Sequence, residues 1–359
     1  MTTTVQRDAT SLGVSAPAMS PELMVQVPQG TPAREMSYQE AIREALREEM
    51  ANDERVFLMG EDIGLHGGAF GVTKTLFDQF GPERVRNTPI SENTIVGAAT
   101  GAAIVGMRPV IEIMFVDFSG LAMDQICNQA AKMRLMTGGQ CTIPWVLRMP
   151  QGGGAGKSTA AQHSQSLEVW YAHTPGLKVV LPSTPYDAKG LLKAAIRDDN
   201  PIIFLEHKHL YSFRGLVPDE EYVLPLGQGD IKREGEDVTV VASGYMVWHA
   251  MLAAQKLAQE GVRVEVIDVR TISPLDKEMI GRSARKTGRV VLVAEACQSY
   301  GPTGEWAMVV IEQAFDYLLA PIVRVAGRDT PVPFADSIES GVWPGTEDVT
   351  NAIRTVMDY

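Results

Sequence analysis

Cysteine is scarce in this chain. Its 359 residues hold three, Cys127, Cys141 and Cys297, far apart, without a C-x-x-C spacing and with an odd thiol left over. A disulfide framework and a structural zinc site are therefore not expected, and a reducing cytoplasm is the natural setting. Long apolar runs are also missing: no stretch of about 18 uncharged apolar residues occurs, so no membrane span is expected. The N-terminal Met-Thr-Thr-Thr leads into no basic segment or apolar core, which argues against a secretory signal. Basic charge is in deficit, with 32 Lys and Arg against 44 Asp and Glu and a net charge of −12. Such a chain repels nucleic-acid phosphates and anionic lipid, so neither nucleic acid nor a membrane is an expected main partner. A local basic pocket for one anionic ligand remains compatible with that balance.

Hydrophobic residues make up 45% and charged residues 21%, a globular composition. At about 100–200 residues per domain, two domains are expected. Residues 1–35, with Pro17, Pro21, Pro28 and Pro32 among many Ser and Thr, read as a flexible extension. Order begins at Ser37-Tyr-Gln-Glu40, a capping-box spacing, followed by Ile42, Ala45, Leu46 and Met50 at helical intervals. Strands are predicted at Val56–Met59, Val110–Phe115, Trp145–Arg148, Val179–Leu181 and Ile202–Leu205, with helices at Val96–Val105, Leu121–Leu135 and Tyr186–Arg197. A Gly-, Pro- and charge-rich stretch over 216–235 reads as a linker. The alternation then restarts, with strands at Val238–Ala242, Arg263–Val269, Val290–Glu295 and Ile322–Val325. Helices are predicted at Met246–Gln259, Glu305–Leu318 and Glu347–Met357. Continuous β-branched runs between helices mark strands buried on both faces. The expected fold is α/β: two tandem three-layer domains with mostly parallel sheets, over 36–215 and 236–359.

Gly152-Gly-Gly-Ala-Gly-Lys-Ser158 invites comparison with a phosphate-cradling P-loop, G-x-x-x-x-G-K-[ST]. The first glycine of that pattern falls on Gln151, so the spacing fails and a glycine loop beside a site is the better reading. His207 and His209 lack a third ligand nearby, which favours a surface or structural role over metal binding. The acids at strand ends say more, because ligands of open parallel sheets bind outside the carboxyl ends of the strands. Glu61 and Asp62 follow the run Phe57–Gly60, and Glu92 precedes a Gly/Ala-rich helix. Glu92 can equally be a first-turn acid favoured by the helix dipole and capped by Ser91. His163 lies in a glycine-rich connection after a strand. There it can move protons near pH 7 or act as a hydrogen-bonded loop histidine.

Taken in order, several segments carry a resemblance: Phe57-Leu-Met-Gly-Glu-Asp62, Asn87-Thr-Pro-Ile-Ser-Glu92, Phe115-Val-Asp-Phe118 and Asp124-Gln-Ile-Cys-Asn-Gln-Ala-Ala-Lys132. They continue with Ala161-Gln-His-Ser-Gln165, Pro175-Gly-Leu-Lys-Val-Val180, Asp268-Val-Arg-Thr-Ile-Ser-Pro-Leu275 and Thr330-Pro-Val-Pro-Phe334. Over 36–357 the chain resembles the β subunit of a thiamine-diphosphate-dependent 2-oxo acid dehydrogenase E1 component. The resemblance implies a transketolase-like pyrimidine-binding domain, a transketolase C-terminal domain and an α2β2 heterotetramer. It also implies thiamine diphosphate shared between an α and a β chain. The α chain supplies the diphosphate and Mg²⁺ contacts through a Gly-Asp-Gly motif. Here Gly229-Asp230 runs into Ile231, so this chain holds half a site.

By the same resemblance, Glu92 hydrogen-bonds the pyrimidine N1′ and stabilises the tautomer that exposes the cofactor's own imino base. That role requires a proton-sharing acid in a poorly solvated pocket. Phe118 packs on the aminopyrimidine ring, Ile90 lines the same pocket, and Glu61 and Asp124 line a polar passage between paired sites. His163 is the β-chain histidine that handles protons or orients the substrate, on a loop slightly longer than in pyruvate-type relatives. A structural K⁺ near Ala195, Asp198 and Asn200 is also implied. The reaction is cleavage of a small 2-oxo acid or acetoin and reductive acyl transfer to the lipoyl group of the E2 acyltransferase. Phe115–Phe118, Pro185–Gly190 and Glu206–Lys208 look closer to acetoin-type than to pyruvate-type β chains. The competing expectations are a split transketolase-type subunit, which Ser-Glu-Asn-Thr at 91–94 disfavours, and a P-loop nucleotide-binding protein.

Overall fold

The computed structural model describes residue 27 and residues 30–153 and 159–359, with Asp336 as backbone only. Most of the expected N-terminal extension, and residues 154–158 of the glycine loop with Lys157, lie outside these described residues. Among the described residues, fourteen strands form three sheets. In the N-terminal half they are β1 (Ala33–Ser37), β2 (Val56–Gly60), β3 (Val85–Asn87), β4 (Arg108–Glu112), β5 (Val146–Gln151), β6 (Lys178–Val180), β7 (Ile202–His207) and β8 (Arg214–Pro218). In the C-terminal half they are β9 (Asp230–Arg233), β10 (Val238–Ala242), β11 (Val264–Asp268), β12 (Thr271–Ser273), β13 (Val290–Cys297) and β14 (Val323–Gly327).

The larger sheet runs β12-β6-β7-β5-β4-β2-β3 and the smaller β14-β13-β10-β11-β9. Every pair in both is parallel except β12/β6 and β11/β9, the antiparallel edges. Strands β2, β5, β7, β10 and β11 are buried along their whole length. Helices on both faces are the reason: a strand covered twice has no solvent side on which to alternate. Two tandem α/β domains with mostly parallel sheets result.

The helix Tyr38–Asn52 starts at the expected capping box. The Glu40 backbone N–H donates to Ser37 Oγ at 3.2 Å, and the Ser37 N–H donates to Glu40 Oε2 at 2.7 Å. Its buried face, Ala41, Ile42, Ala45, Leu46 and Met50, packs on the helix Pro185–Arg197. There Lys189 reaches Glu44 and Glu48, Lys193 reaches Glu48, and Arg197 reaches Glu49, all at 2.6–2.9 Å. The lysine stems pack as apolar surface while their ammonium groups find carboxylates.

Several features depart from expectation, the first being that order begins at Ala33 with β1, inside the stretch read as a flexible extension. The stretch read as a linker contains the end of β8, which pairs antiparallel with β1, and all of β9. Both strands are short and edge-located, so they lack the apolar run that marks a central strand. Strand β12 comes from the C-terminal half yet closes the edge of the N-terminal sheet. In place of one helix over Leu121–Leu135 there is a 3₁₀ segment Val116–Ala122, a π-helical turn Asp124–Ala130 and an α-helix Ala131–Met136. The widened turn lays Gln125 against the backbone of Gly97, where a Cβ would stand 3.2 Å from Gln125 Oε1. The helix expected at Glu305–Leu318 instead spans Pro302–Ala314. Pro302, with φ preset for a first turn, starts it earlier, and a 3₁₀ turn at Phe315–Tyr317 ends the segment.

Candidate active site

The chemistry-bearing residues gather at the carboxyl ends of the parallel strands. Glu61 follows β2, Glu92 opens the helix Glu92–Ile104 after β3, Phe118 follows β4 and His163 follows β5. Glu61 and Glu92 are both buried, 8% and 7% exposed. Burial raises the Glu61 pKa, and the neighbouring Glu92 charge raises it further. The Ser91 backbone N–H donates to Glu61 and works the other way. The Ser91 side chain makes no cap to the helix, so the bland account of Glu92 as a conventionally capped first-turn acid loses its cap. One oxygen of the pair, Glu61 Oε1, is buried without a hydrogen-bond partner among the described residues.

An aromatic wall stands at the same end of the sheet. The His163 ring meets Phe115 edge-on at 4.8 Å and Phe118 at 5.1 Å between centroids, and the two phenylalanines lie 6.2 Å apart. The 3₁₀ segment with Phe118 packs on the helix that Glu92 opens. Around His163 the backbone is tightly held. Its N–H donates to Ala160 O at 3.2 Å, and its carbonyl accepts Thr159 Oγ1 at 3.0 Å and the Lys208 ammonium. Gln165 Nε2 donates to Asp117 Oδ1 at 2.8 Å, while Asp117 Oδ2 is a second buried oxygen without a partner among the described residues. Burial lowers the Lys208 pKa, partly offset by Asp117 and Glu295.

Sequence patterns had pointed to neither Glu295 nor a buried His207. Of the surface or structural role expected for His207 and His209, burial leaves the structural one: both are buried and stack on Tyr245 at 5.0 Å. His207 Nε2 contacts Glu295 Oε2 across the domain boundary. Nearby Glu168 is fully buried, and burial, aided by the Glu295 charge, pushes its pKa up to about 7 from an ordinary 4.5; the Gln151 amide, 3.2 Å away, opposes the shift. Ionising a carboxyl there costs stability once the unfolded chain has ionised. The penalty therefore grows from about pH 4.5 to about pH 7 and stays above it. Glu168→Gln is expected to stabilise the protein by about 1–3 kcal/mol at pH 8 and by almost nothing at pH 4.5. Urea unfolding at the two pH values measures this; an equal gain at both would contradict a neutral Glu168.

Other expected site residues are less enclosed. Ile90 is 82% exposed, so within this chain it lines no closed pocket. Asp124 is exposed on the π-helical turn and accepts Asn128 Nδ2 at 2.8 Å and Gln125 Nε2 at 3.1 Å. Ala195, Asp198 and Asn200 lie together at the end of the helix Pro185–Arg197. The Asp198 carbonyl there accepts Arg108 Nη1 at 3.0 Å and its carboxylate pairs with Lys178.

A two-domain α/β chain with paired buried acids, an aromatic wall and a loop histidine at the strand ends has the architecture of a transketolase-type subunit. Residues 34–214 match the family described as transketolase, pyrimidine binding domain, and residues 227–349 match transketolase, C-terminal domain. A rice mitochondrial pyruvate dehydrogenase E1 component subunit beta-2 is 47% identical, over 90% of this chain and 86% of that protein. The Bacillus subtilis 2-oxoisovalerate dehydrogenase subunit beta is 46% identical over 90% and 99% of the two chains. The acetoin:2,6-dichlorophenolindophenol oxidoreductase subunit beta of Cupriavidus necator is 46% identical over 90% and 98%. Among solved structures, a split-gene transketolase, described as an inactive beta4 tetramer, superposes with a TM-score of 0.71 at 25% identity, over 92% of this chain and 99% of that one. The chain belongs to the transketolase-like family of E1 β subunits of 2-oxo acid and acetoin dehydrogenase complexes. The P-loop reading falls away, since residues 151–158 lie inside the pyrimidine-domain match.

Proposed function

We propose that this chain is the β half of an α2β2 E1 enzyme. It cleaves a small 2-oxo acid or acetoin and passes the acyl group to the lipoyl disulfide of an E2 acyltransferase, which is reduced as it is acylated. The single observation that carries the reading is the buried Glu61–Glu92 pair with its Glu61 Oε1 unpartnered among the described residues, at the same end of the sheet as the Phe115–Phe118–His163 wall. These residues fit the pyrimidine end of thiamine diphosphate, a flat heterocycle that needs a proton-sharing acid at one edge and an apolar partner at one face. When bound, that cofactor supplies the carbanion-stabilising chemistry that cleaves the bond beside the substrate carbonyl.

Glu92 would share a proton with the edge of the bound ring, and Phe118 would offer the ring an apolar face. His163 moves a proton or orients the substrate. Glu61 and Asp124 line a polar path that the partner subunit completes, and Ile90 closes against the same partner. Mg²⁺ is expected mainly on the α chain. A monovalent cation among the main-chain oxygens of Ala195, Asp198 and Asn200 would share the Asp198 carbonyl with Arg108. Near-equal identity to pyruvate-, branched-chain- and acetoin-named relatives keeps all three substrate types in view.

The test is co-expression with an α chain, followed by assay with thiamine diphosphate, Mg²⁺ and an artificial electron acceptor on acetoin, pyruvate and branched-chain 2-oxo acids. Activity is expected from the αβ complex and none from β alone. Turnover by the isolated β chain, or of a sugar phosphate by the complex in place of these substrates, would overturn the reading and favour a split transketolase.

A further inference from the structure

We propose that Glu295, on β13 of the C-terminal domain, is the positioning residue for the loop that presents His163. The proposal rests on the functional reading above. Glu295 Oε1 accepts the backbone N–H of Gly153 at 2.9 Å and the hydroxyl of Ser166 at 3.1 Å. One carboxylate oxygen thus holds the chain just after β5 and again three residues beyond His163. The other oxygen, Oε2, meets His207 Nε2. The His209 backbone N–H donates to His207 Nδ1 at 3.2 Å, so Nε2 is the ring nitrogen that donates to Glu295. Stacking on Tyr245 fixes the plane of that ring.

The chain is shaped to let this carboxylate in. Gly152 has φ +87°, and a Cβ there would sit 2.1 Å from His207 Nε2 and 2.8 Å from Glu295 Oε1, so only glycine lets the backbone approach. The Gly152 N–H donates to the Gln165 carbonyl at 3.0 Å and closes the base of the loop. Between those anchors Ala160 takes φ +65°, an uncommon conformation for a residue with a Cβ, and its carbonyl receives the His163 N–H. Glu295 therefore sets where the His163 ring meets Phe115 and Phe118, from a domain that contributes no other group to that wall among the described contacts. Held groups of this kind matter because a misplacement of about 1 Å can cost about 100-fold in rate.

The experiment uses the reconstituted αβ complex with Glu295→Gln, Ser166→Ala, His163→Ala and the Glu295→Gln/His163→Ala pair. Glu295→Gln is expected to speed amide hydrogen exchange across residues 159–166 and to lower lipoyl-coupled kcat by about 10–100-fold, with little change in substrate KM. Ser166→Ala, which keeps the carboxylate and its His207 partner, is expected to speed exchange over the same residues with a smaller loss of kcat. The double variant is expected to be no slower than His163→Ala alone, because both act through one side chain. Unchanged exchange over 159–166 in an assembled Glu295→Gln complex overturns the proposal, as does a fully additive double variant. If Glu295→Gln does not assemble, unchanged exchange in Ser166→Ala overturns it. Full turnover by His163→Ala would instead sink the role given to His163, and the exchange result would still decide whether Glu295 holds the loop.

Discussion

Glu92→Gln is expected to leave an assembled αβ complex whose thiamine-dependent turnover falls by on the order of 100- to 10,000-fold, the range for loss of a positioned proton-transfer group. Glutamine has nearly the same shape and still fits the first turn of the helix Glu92–Ile104, so packing is preserved. The change removes a charge from a helix N-terminus, worth only about 0.3–1 kcal/mol. What it removes chemically is the ability to share a proton at the edge of the bound ring. A second consequence is local. The Glu92 charge is, after burial, the next largest influence raising the Glu61 pKa, so Glu61 should titrate lower in the variant. Turnover assays with saturating thiamine diphosphate, with cofactor binding and tetramer assembly as controls, measure the main effect. Full activity in an assembled variant would remove Glu92 from the chemistry and with it the proposed site.

Arg148→Met is expected to destabilise strongly the sheet beneath that site. Arg148 is 2% exposed on β5, between Glu112 on β4 and Glu206 on β7. Its Nη1 donates to Glu112 Oε2 at 2.7 Å, and Nε and Nη2 donate to the two Glu206 oxygens at 2.7 and 2.8 Å. Tyr211 Oη adds a fourth bond to the cluster, donating to Glu206 Oε2 at 2.7 Å. Removing the guanidinium leaves two buried carboxylates without their cation, which costs about 3–5 kcal/mol. Burial already raises the Glu112 pKa, with Arg148 opposing it. Without Arg148 the Glu112 carboxyl is raised further, so the loss is greatest at pH 8 and shrinks as pH falls and the carboxyl takes up its proton. Urea unfolding of the assembled protein at pH 8 and pH 5 tests the sign. Replacing Glu112 and Glu206 by Leu and Tyr211 by Phe in the same background should recover much of the loss, because an apolar cluster leaves no buried charge or hydroxyl donor without a partner.

The alternation of buried runs and amphipathic helices was open to reading because it is local. Val56–Met59, Val240–Ala242 and Ile202–Leu205 are apolar over several consecutive residues, and that alone says both faces are covered. Ser37 and Glu40 announced the first helix through a bond pattern spanning three residues. Glu61, Glu92, Phe118 and His163 stood out through short ordered motifs, and the structure gathers them at one end of one sheet. Boundaries failed where a single residue outweighed periodicity, as Pro302 did, or where a turn widened against a neighbouring helix, as at Asp124–Ala130.

Other features had no local signal. Lys232, with its side chain fully buried, reaches Asp187 at 2.6 Å across the two halves, and nothing about either residue's neighbours in the chain says so. Arg148 finds its two acids on strands adjacent in space but 36 and 58 residues away in sequence. Glu295 lies 142 residues from the glycine it holds.

The amino-acid order by itself determined most of the central strands and the long amphipathic helices, that the sheets are covered on both sides, and which acids and histidine end up at strand termini. Those properties follow from side-chain periodicity and turn chemistry within a few residues. Only the tertiary structure decided which buried charges meet, that β12 completes the other domain's sheet, and that a carboxylate from β13 grips the histidine loop. Such partners are chosen by how packed layers bring distant strand ends together, and a buried charge accepts whichever donor that packing supplies.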